Sequence, residues 1–324
     1  MRKTYHLCRS SHEEVLFRDN SDFIYGFNCL AVASLLTESR LLADGHLSTH
    51  LHELLQTDSP DEVMRRSRYA YTRRFNAKYH RRGSLGEKGF FILPVEGLYH
   101  MQACLNYVLR QGLHHGMTST PFEYPHGSAV VYFRKELGRP DPALLADNDQ
   151  RYKYLPEGVT VPEQYRMSAA GLLLREDIID TAYVEEVYIS PRNFLYQMNK
   201  ITDDKSNQEQ MRENDLPPIT LETVENGVND FNPRQALINE QGKVNRSRMT
   251  DIELCEVIDK KILPEQYFCG KEESSIYLLP EFKRSVIGDM LLQESQSVQY
   301  GRKTRWLCGK TVTTAQLRRC LAIR

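Results

Sequence analysis

Two periodicities alternate along the first 111 residues, and their order constrains the fold more than any single residue does. Residues 2–9 alternate as a strand does. Residues 22–38 read as a buried helix, and Asp19-Asn20-Ser21-Asp22 ahead of it offer capping side chains. Strand patterns recur at 39–46 and 48–56. Ser59 and Pro60 mark a helix start, and the helix runs over about 60–79. Glycines 83, 86 and 89 interrupt the chain before Phe90-Phe91-Ile92-Leu93 resumes an extended pattern. A further helix spans about 97–111 and ends at Gly112 as its C′ residue. Strand, helix, strand, strand, helix, strand, helix predicts an α+β sandwich, a ferredoxin-like antiparallel sheet with helices on one face.

The chain has 324 residues, which suggests about two domains. The reading assigns 1–135 to the sheet domain and 136–165, rich in Pro, Gly and Asp, to a linker or surface loop. Residues 166–324 read as a mainly helical extension, with a helical stretch at 176–200 broken at Pro191 and a flexible acidic connector near 203–233. Thr250 and Glu253 form a capping box that opens a helix over 250–261. Helices near 280–293 and 313–322 follow, the last expected to be an ordinary packing helix. The net charge of −1 excludes a globally basic nucleic-acid binder, so any such role rests on local charge. Seven cysteines without CxxC spacing read as reduced intracellular thiols. No apolar run reaches the roughly 20 residues of a membrane helix, and no targeting segment is visible, so a cytoplasmic protein without membrane contact is expected.

Candidate chemistry begins at His50-Leu51-His52. Residues i and i+2 of a strand share a face, so this apolar-flanked strand presents two imidazoles side by side, a pair of metal ligands. On a helix, i and i+4 share a face, so Tyr107 and Gln111 project together, a nucleophile beside an oxygen ligand. A hard cation such as Mg²⁺ or Mn²⁺ takes imidazole and amide oxygen and leaves room for phosphate. Between the two pairs, residues 65–88 hold Arg65, Arg66, Arg68, Arg73, Arg74, Lys78, Arg81, Arg82 and Lys88, nine basic residues against Glu87 alone. Tyr69, Tyr71, Phe75 and Tyr79 interleave with them, a pattern suited to a single-stranded nucleic acid. Each feature has a plainer reading: half-buried strand histidines, a surface tyrosine beside a solvated glutamine, a solvated helix face. His114-His115 reads as an exposed loop pair, and His46, about 13 Å before His50 at strand rise, as outside ligand reach. No phosphate-binding GxxxxGK[ST] loop is present, so nucleotide hydrolysis is unsupported.

At these residues the chain resembles the single-tyrosine HUH transposases, in particular the REP-associated tyrosine transposase branch. The resembling segments are Phe17-Arg18-Asp19, Ser48 to His52, Tyr71 to Gly83, Tyr107 to Gly116 and Glu123-Tyr124-Pro125, spanning about residues 1–135. Thr49 stands where many relatives have Asn, and Gly112 replaces a common proline.

The resemblance implies an HUH endonuclease fold that acts on single-stranded DNA, often with hairpins nearby. It assigns His50, His52 and Gln111 to the metal and Tyr107 to nucleophilic attack through a 5′-phosphotyrosine. It also implies a homodimer that is nucleoid-associated when bound to DNA. Two other classes stay open: a DNA-binding regulator of the same fold, and a metal-dependent nuclease that uses water with Tyr107 structural. A replication-initiation or relaxase relative fits less well, because the chain is short and has no helicase segment.

Overall fold

The computed structural model describes residues 2–199, 248–268, 274–299 and 310–323. The acidic connector expected at 203–233 lies outside these residues, as do Cys269 and Cys308. Four strands, β1 (Lys3–Ser10), β2 (Arg40–His46), β3 (His50–Thr57) and β4 (Phe91–Val95), form one sheet in the order β2-β3-β1-β4. Every neighbouring pair is antiparallel. With α1 (Asn20–Leu36) and α2 (Pro60–Tyr79) as crossovers, this is the βαββαβ order of the ferredoxin-like sandwich. Asp19 caps α1 through a reciprocal box with Asp22, the feature legible in the sequence.

Pleat parity decides which side chains meet. Ser10 pairs with His50, Cys8 with His52 and His6 with Leu54, so these six share one face. Arg9, Leu7, Leu51, Glu53 and Leu55 point the other way, toward α1 and α2, where the Arg9 guanidinium lies over the Tyr71 ring. The two crossover helices pack against each other on that side. The helix α3 (Leu98–Leu109) covers the opposite face, lying across β2 and β3.

The apolar core runs past residue 135. Leu155, Met167, Leu173, Ile179, Val184, Tyr188, Phe194 and Met198 join the cluster built on the sheet. Within 136–165, a 3₁₀ turn at Asn148–Tyr154 leads to the buried Leu155. The buried Asn28 of α1 fixes this stretch: Nδ2 donates to the Tyr154 and Gly171 carbonyls, both at 2.8 Å, and Oδ1 accepts from the Leu173 amide at 2.9 Å. Three helices follow, α5 (Arg175–Ile178), α6 (Thr181–Tyr188) and α7 (Pro191–Asn199). The expected break at Pro191 falls just before it, at Ile189–Ser190, because proline suits the first turn of a new helix.

A second apolar cluster holds Val15 together with residues 249–321. It contains α8 (Asp251–Val257), which continues as a wider-pitched turn over Ile258–Tyr267, then α9 (Glu281–Gln299) and α10 (Thr314–Leu321). Arg18, fully buried, ties it to the sheet domain: its guanidinium makes a two-pronged contact with Asp259 at 2.8 Å and donates to the Cys320 carbonyl at 2.7 Å. The five described cysteines are all buried.

Arg175 is the other long-range tie. Its guanidinium meets the fully buried Asp44 carboxylate of β2 at 3.1–3.4 Å and stacks on Phe27 at 4.2 Å. Arg175→Met removes the fork and strands the carboxylate, so a loss of about 3–5 kcal/mol is expected. Urea unfolding followed by circular dichroism measures it. A loss below about 1 kcal/mol would show that this pair does not anchor residues 136–199.

Candidate active site

The strand β3 and helix α3 bring the sequence-selected quartet together. His50 and His52 stand on the α3 side with ring centroids 5.2 Å apart. Tyr107 Oη lies 3.4 Å from His52 Nε2, with the rings edge to face at 4.8 Å. Gln111 Nε2 donates to the Tyr107 carbonyl at 3.0 Å, and the Gln111 side chain hydrogen-bonds to His50. Exposure is 1% for His50 and Gln111, 0% for His52 and 6% for Tyr107.

Two glycines permit this closeness. Gly45 pairs with His52 on the same face, and a Cβ there would stand 2.7 Å from the Val108 carbonyl oxygen and 3.2 Å from Gln111 Cγ. Gly112 was expected to terminate the tyrosine helix. Instead α3 ends at Leu109 with Arg110 as cap, and Gly112 lies inside a short second helix, α4 (Gln111–His114). The Tyr124 ring occupies the place its side chain would take, 2.4 Å from a built Cβ. Packing against Tyr124, rather than helix termination, explains that glycine. Met101, Leu105, Tyr107 and Val108 of α3 are buried, whereas Leu98 at its start is 57% exposed.

Two histidines that the sequence did not assign to the site belong to this cluster. His6 Nε2 lies 3.1 Å from His52 Nδ1, with the rings stacked, and its ring meets Tyr107 edge to face at 6.1 Å. His115, expected as part of an exposed pair, is buried: its Nε2 is 3.2 Å from Gln111 Oε1 and its ring is 5.3 Å from His50. The signal for His6 was the strand parity of residues 2–9. Placing it beside His52 needs the β1–β3 register, which no local pattern contains. His46 stacks on Phe17 on the other face of the sheet, at 5.5 Å.

Burial without a neighbouring carboxylate disfavours the charged imidazolium. It brings His6 and His50 down to about 3, the Gln111 hydrogen bond opposing it at His50. His52 is driven well below its ordinary value by burial and then by the surrounding histidines. Neutral imidazoles donate to metals, and an amide oxygen has two lone pairs, so one remains beside the His115 contact. Among the described residues, no group of three or more His, Cys, Asp or Glu side chains is arranged to hold a metal ion. His50, His52 and the Gln111 amide oxygen are donor types that a hard divalent ion accepts.

The basic run lies elsewhere. Eight of the nine residues sit on α2 or just after it, in the layer facing away from Tyr107. Lys78 is held by Asp19 and Asp22 at 2.7 and 2.8 Å, and Arg81 is paired with Glu14. Arg65 and Arg66 pair with Glu62, Arg73 with Glu157, and Arg74 lies over the Tyr25 ring. Arg68 donates to the carbonyl of Lys88, the ninth. Arg82 and Lys88 have exposed side chains. A cleft of about 570 Å³ is lined by Cys8 and Ser10, the cross-strand partners of His52 and His50, and by Arg81 and Lys88, while the histidines themselves do not line it.

Gly45→Ala is expected to cost about 1–3 kcal/mol, because the new methyl meets backbone rather than a mobile side chain. Chemical denaturation measures this. A neutral substitution would mean that α3 can lift off the sheet at no cost.

No family model matches the sequence, and no curated protein is similar to it in sequence. Among solved structures, one that it resembles is a REP-associated tyrosine transposase bound to a REP hairpin. The identity is 11% and the TM-score 0.35, over 43% of this chain and 82% of that one. A likeness of that size says nothing about chemistry. No helix among the described residues is long and apolar enough to cross a membrane.

Proposed function

We propose that the chain is a divalent-metal-dependent transposase or endonuclease of single-stranded DNA, cleaving and rejoining strands through Tyr107. The observation that carries this reading is the 3.4 Å approach of Tyr107 Oη to the buried histidine pair, across 55 residues of sequence. His50, His52 and Gln111 would hold Mg²⁺ or Mn²⁺. When bound, the ion supplies Lewis-acid polarisation of the scissile phosphate.

The protein's own groups supply the rest. The α3–β3 contact brings the phenol oxygen to 3.4 Å from His52 Nε2. His6, on Nδ1 of His52, fixes that ring, as partners of ligating histidines do. A free phenol has a pKa near 10, so attack at neutral pH needs a nearby cation that favours the phenolate, the phenol proton passing to solvent. The Oη–P bond forms, the P–O3′ bond breaks, and the departing 3′ oxygen takes a proton. A 3′-OH attacking the phosphotyrosine reverses the step, so joining needs no external energy source. The cleft lined by Cys8 and Ser10 is the route for the strand, with Lys88 at its rim and Arg82 nearby. Dimer formation and a preference for hairpin DNA are part of the proposal.

Tyr107→Phe is expected to bind a labelled single-stranded oligonucleotide as the natural chain does but to form no covalent adduct on a denaturing gel. His50→Ala, or a chelator, is expected to abolish cleavage altogether. Cleavage without adduct by the natural chain would favour water as the nucleophile, and binding with no cleavage in Mg²⁺ or Mn²⁺ would favour a regulator.

Replacing Arg82 and Lys88 with Ala is expected to lower the slope of log affinity against log salt by about 1.4, about 0.7 per phosphate contact on a single strand. An unchanged slope would move the DNA path away from the cleft.

A further inference from the structure

Helices α8 and α10 have no part in the reaction proposed above, yet they meet the sheet domain at the turn just ahead of His50. Asp251, the first residue of α8, accepts from Ser48 Oγ at 2.9 Å through Oδ2. Its carboxylate is gripped from α10 by Arg319 Nη2 at 3.0 and 3.1 Å and by Gln316 Nε2 at 3.3 Å. Gln316 Nε2 also donates to the Met249 carbonyl at 2.6 Å. Both helices start from reciprocal capping boxes, Thr250 with Glu253 and Thr313 with Gln316, so their first turns are fixed in place.

The turn is held from the other side by backbone. The Leu16 and Phe17 amides donate to the Ser48 carbonyl at 2.7 and 3.2 Å, and the Ser11 amide donates to the Thr49 carbonyl at 2.8 Å. The next side chain along, Thr49 Oγ1, lies 3.1 Å from His50 Nδ1. Threonine is branched at Cβ and stiff at χ1, so the backbone that places Thr49 also places its hydroxyl. Ser48, Thr49, His50, Asp251, Gln316 and Arg319 are all buried, where such contacts are not screened by water.

We propose that the C-terminal helical module orients the first histidine of the site. Asp251, clamped by Arg319, pins Ser48. The pinned turn presents Thr49 to His50 Nδ1 and turns Nε2 toward the site. Ser48, Asp251 and Arg319 are positioning residues, acting on the reaction through His50 and not on the substrate. The consequence for metal binding rests on the reading of His50 as a ligand, whereas the ring orientation is measurable without any metal. Loss of a partner that orients a ligating histidine lowers metal affinity by about 10–100-fold.

The test compares the full chain with Ser48→Ala, Ser48→Thr and Asp251→Asn, by imidazole ¹⁵N NMR and by Mn²⁺ titration. The natural chain and Ser48→Thr, which keeps the hydroxyl, are expected to show one fixed tautomer at His50. Ser48→Ala and Asp251→Asn are expected to show averaged ring signals, and Mn²⁺ affinity about 10–100-fold weaker. If Asp251→Asn fails to fold, Ser48→Ala with its Thr rescue decides the question alone. Unchanged His50 signals in Ser48→Ala overturn the proposal. If those signals change while the natural chain binds no Mn²⁺, the positioning role stands and the metal reading falls.

Discussion

Strand β3 sends His50, His52 and Leu54 to one side of the sheet and Leu51, Glu53 and Leu55 to the other, and the candidate site depends on that parity. A slip of one residue against β1 would carry both imidazoles into the layer of α1 and α2. The register is held by apolar content on both faces, since Leu51 and Leu55 are as buried on their side as Leu54 is on its own. With the parity fixed, His6 and Cys8 of β1 and Gly45 of β2 fall on the histidine side without further instruction. The close seating of α3 then depends on Gly45, where any side chain would meet the helix backbone.

A buried cluster of four imidazoles, an amide and a phenol is costly unless its polar atoms find one another. Here they largely do, through His6 to His52, His52 to Tyr107, and Gln111 to His50, His115 and the Tyr107 carbonyl. Such a network holds its members in one arrangement, which is what in-line attack on a phosphate requires.

The C-terminal helices add a constraint that a sheet domain alone would lack. Arg18 and Ser48 both reach into that module, at Asp259 and at Asp251. Arg18 lies at the start of α1 and Ser48 in the turn before β3. Movement of the module would therefore be felt first at the ends of the elements that build the site.

Element order, the caps at Asp19 and Thr250, the His50–His52 pair and the Tyr107–Gln111 pair were legible because each is a local pattern of a few residues. The roles of Gly112, His115 and His6 were not. Gly112 reads as a helix terminator until Tyr124 is seen against it, and His115 reads as exposed until α4 folds it under His50. The basic run shows the same limit. Its charge is plain in the sequence, but whether an arginine faces DNA or Glu14, Glu62 or Glu157 depends on partners brought close by the fold. Periodicity thus fixed which side chains share a face of one strand or helix. Which face meets which was decided by strand register and helix packing, because those contacts join residues tens to hundreds of positions apart.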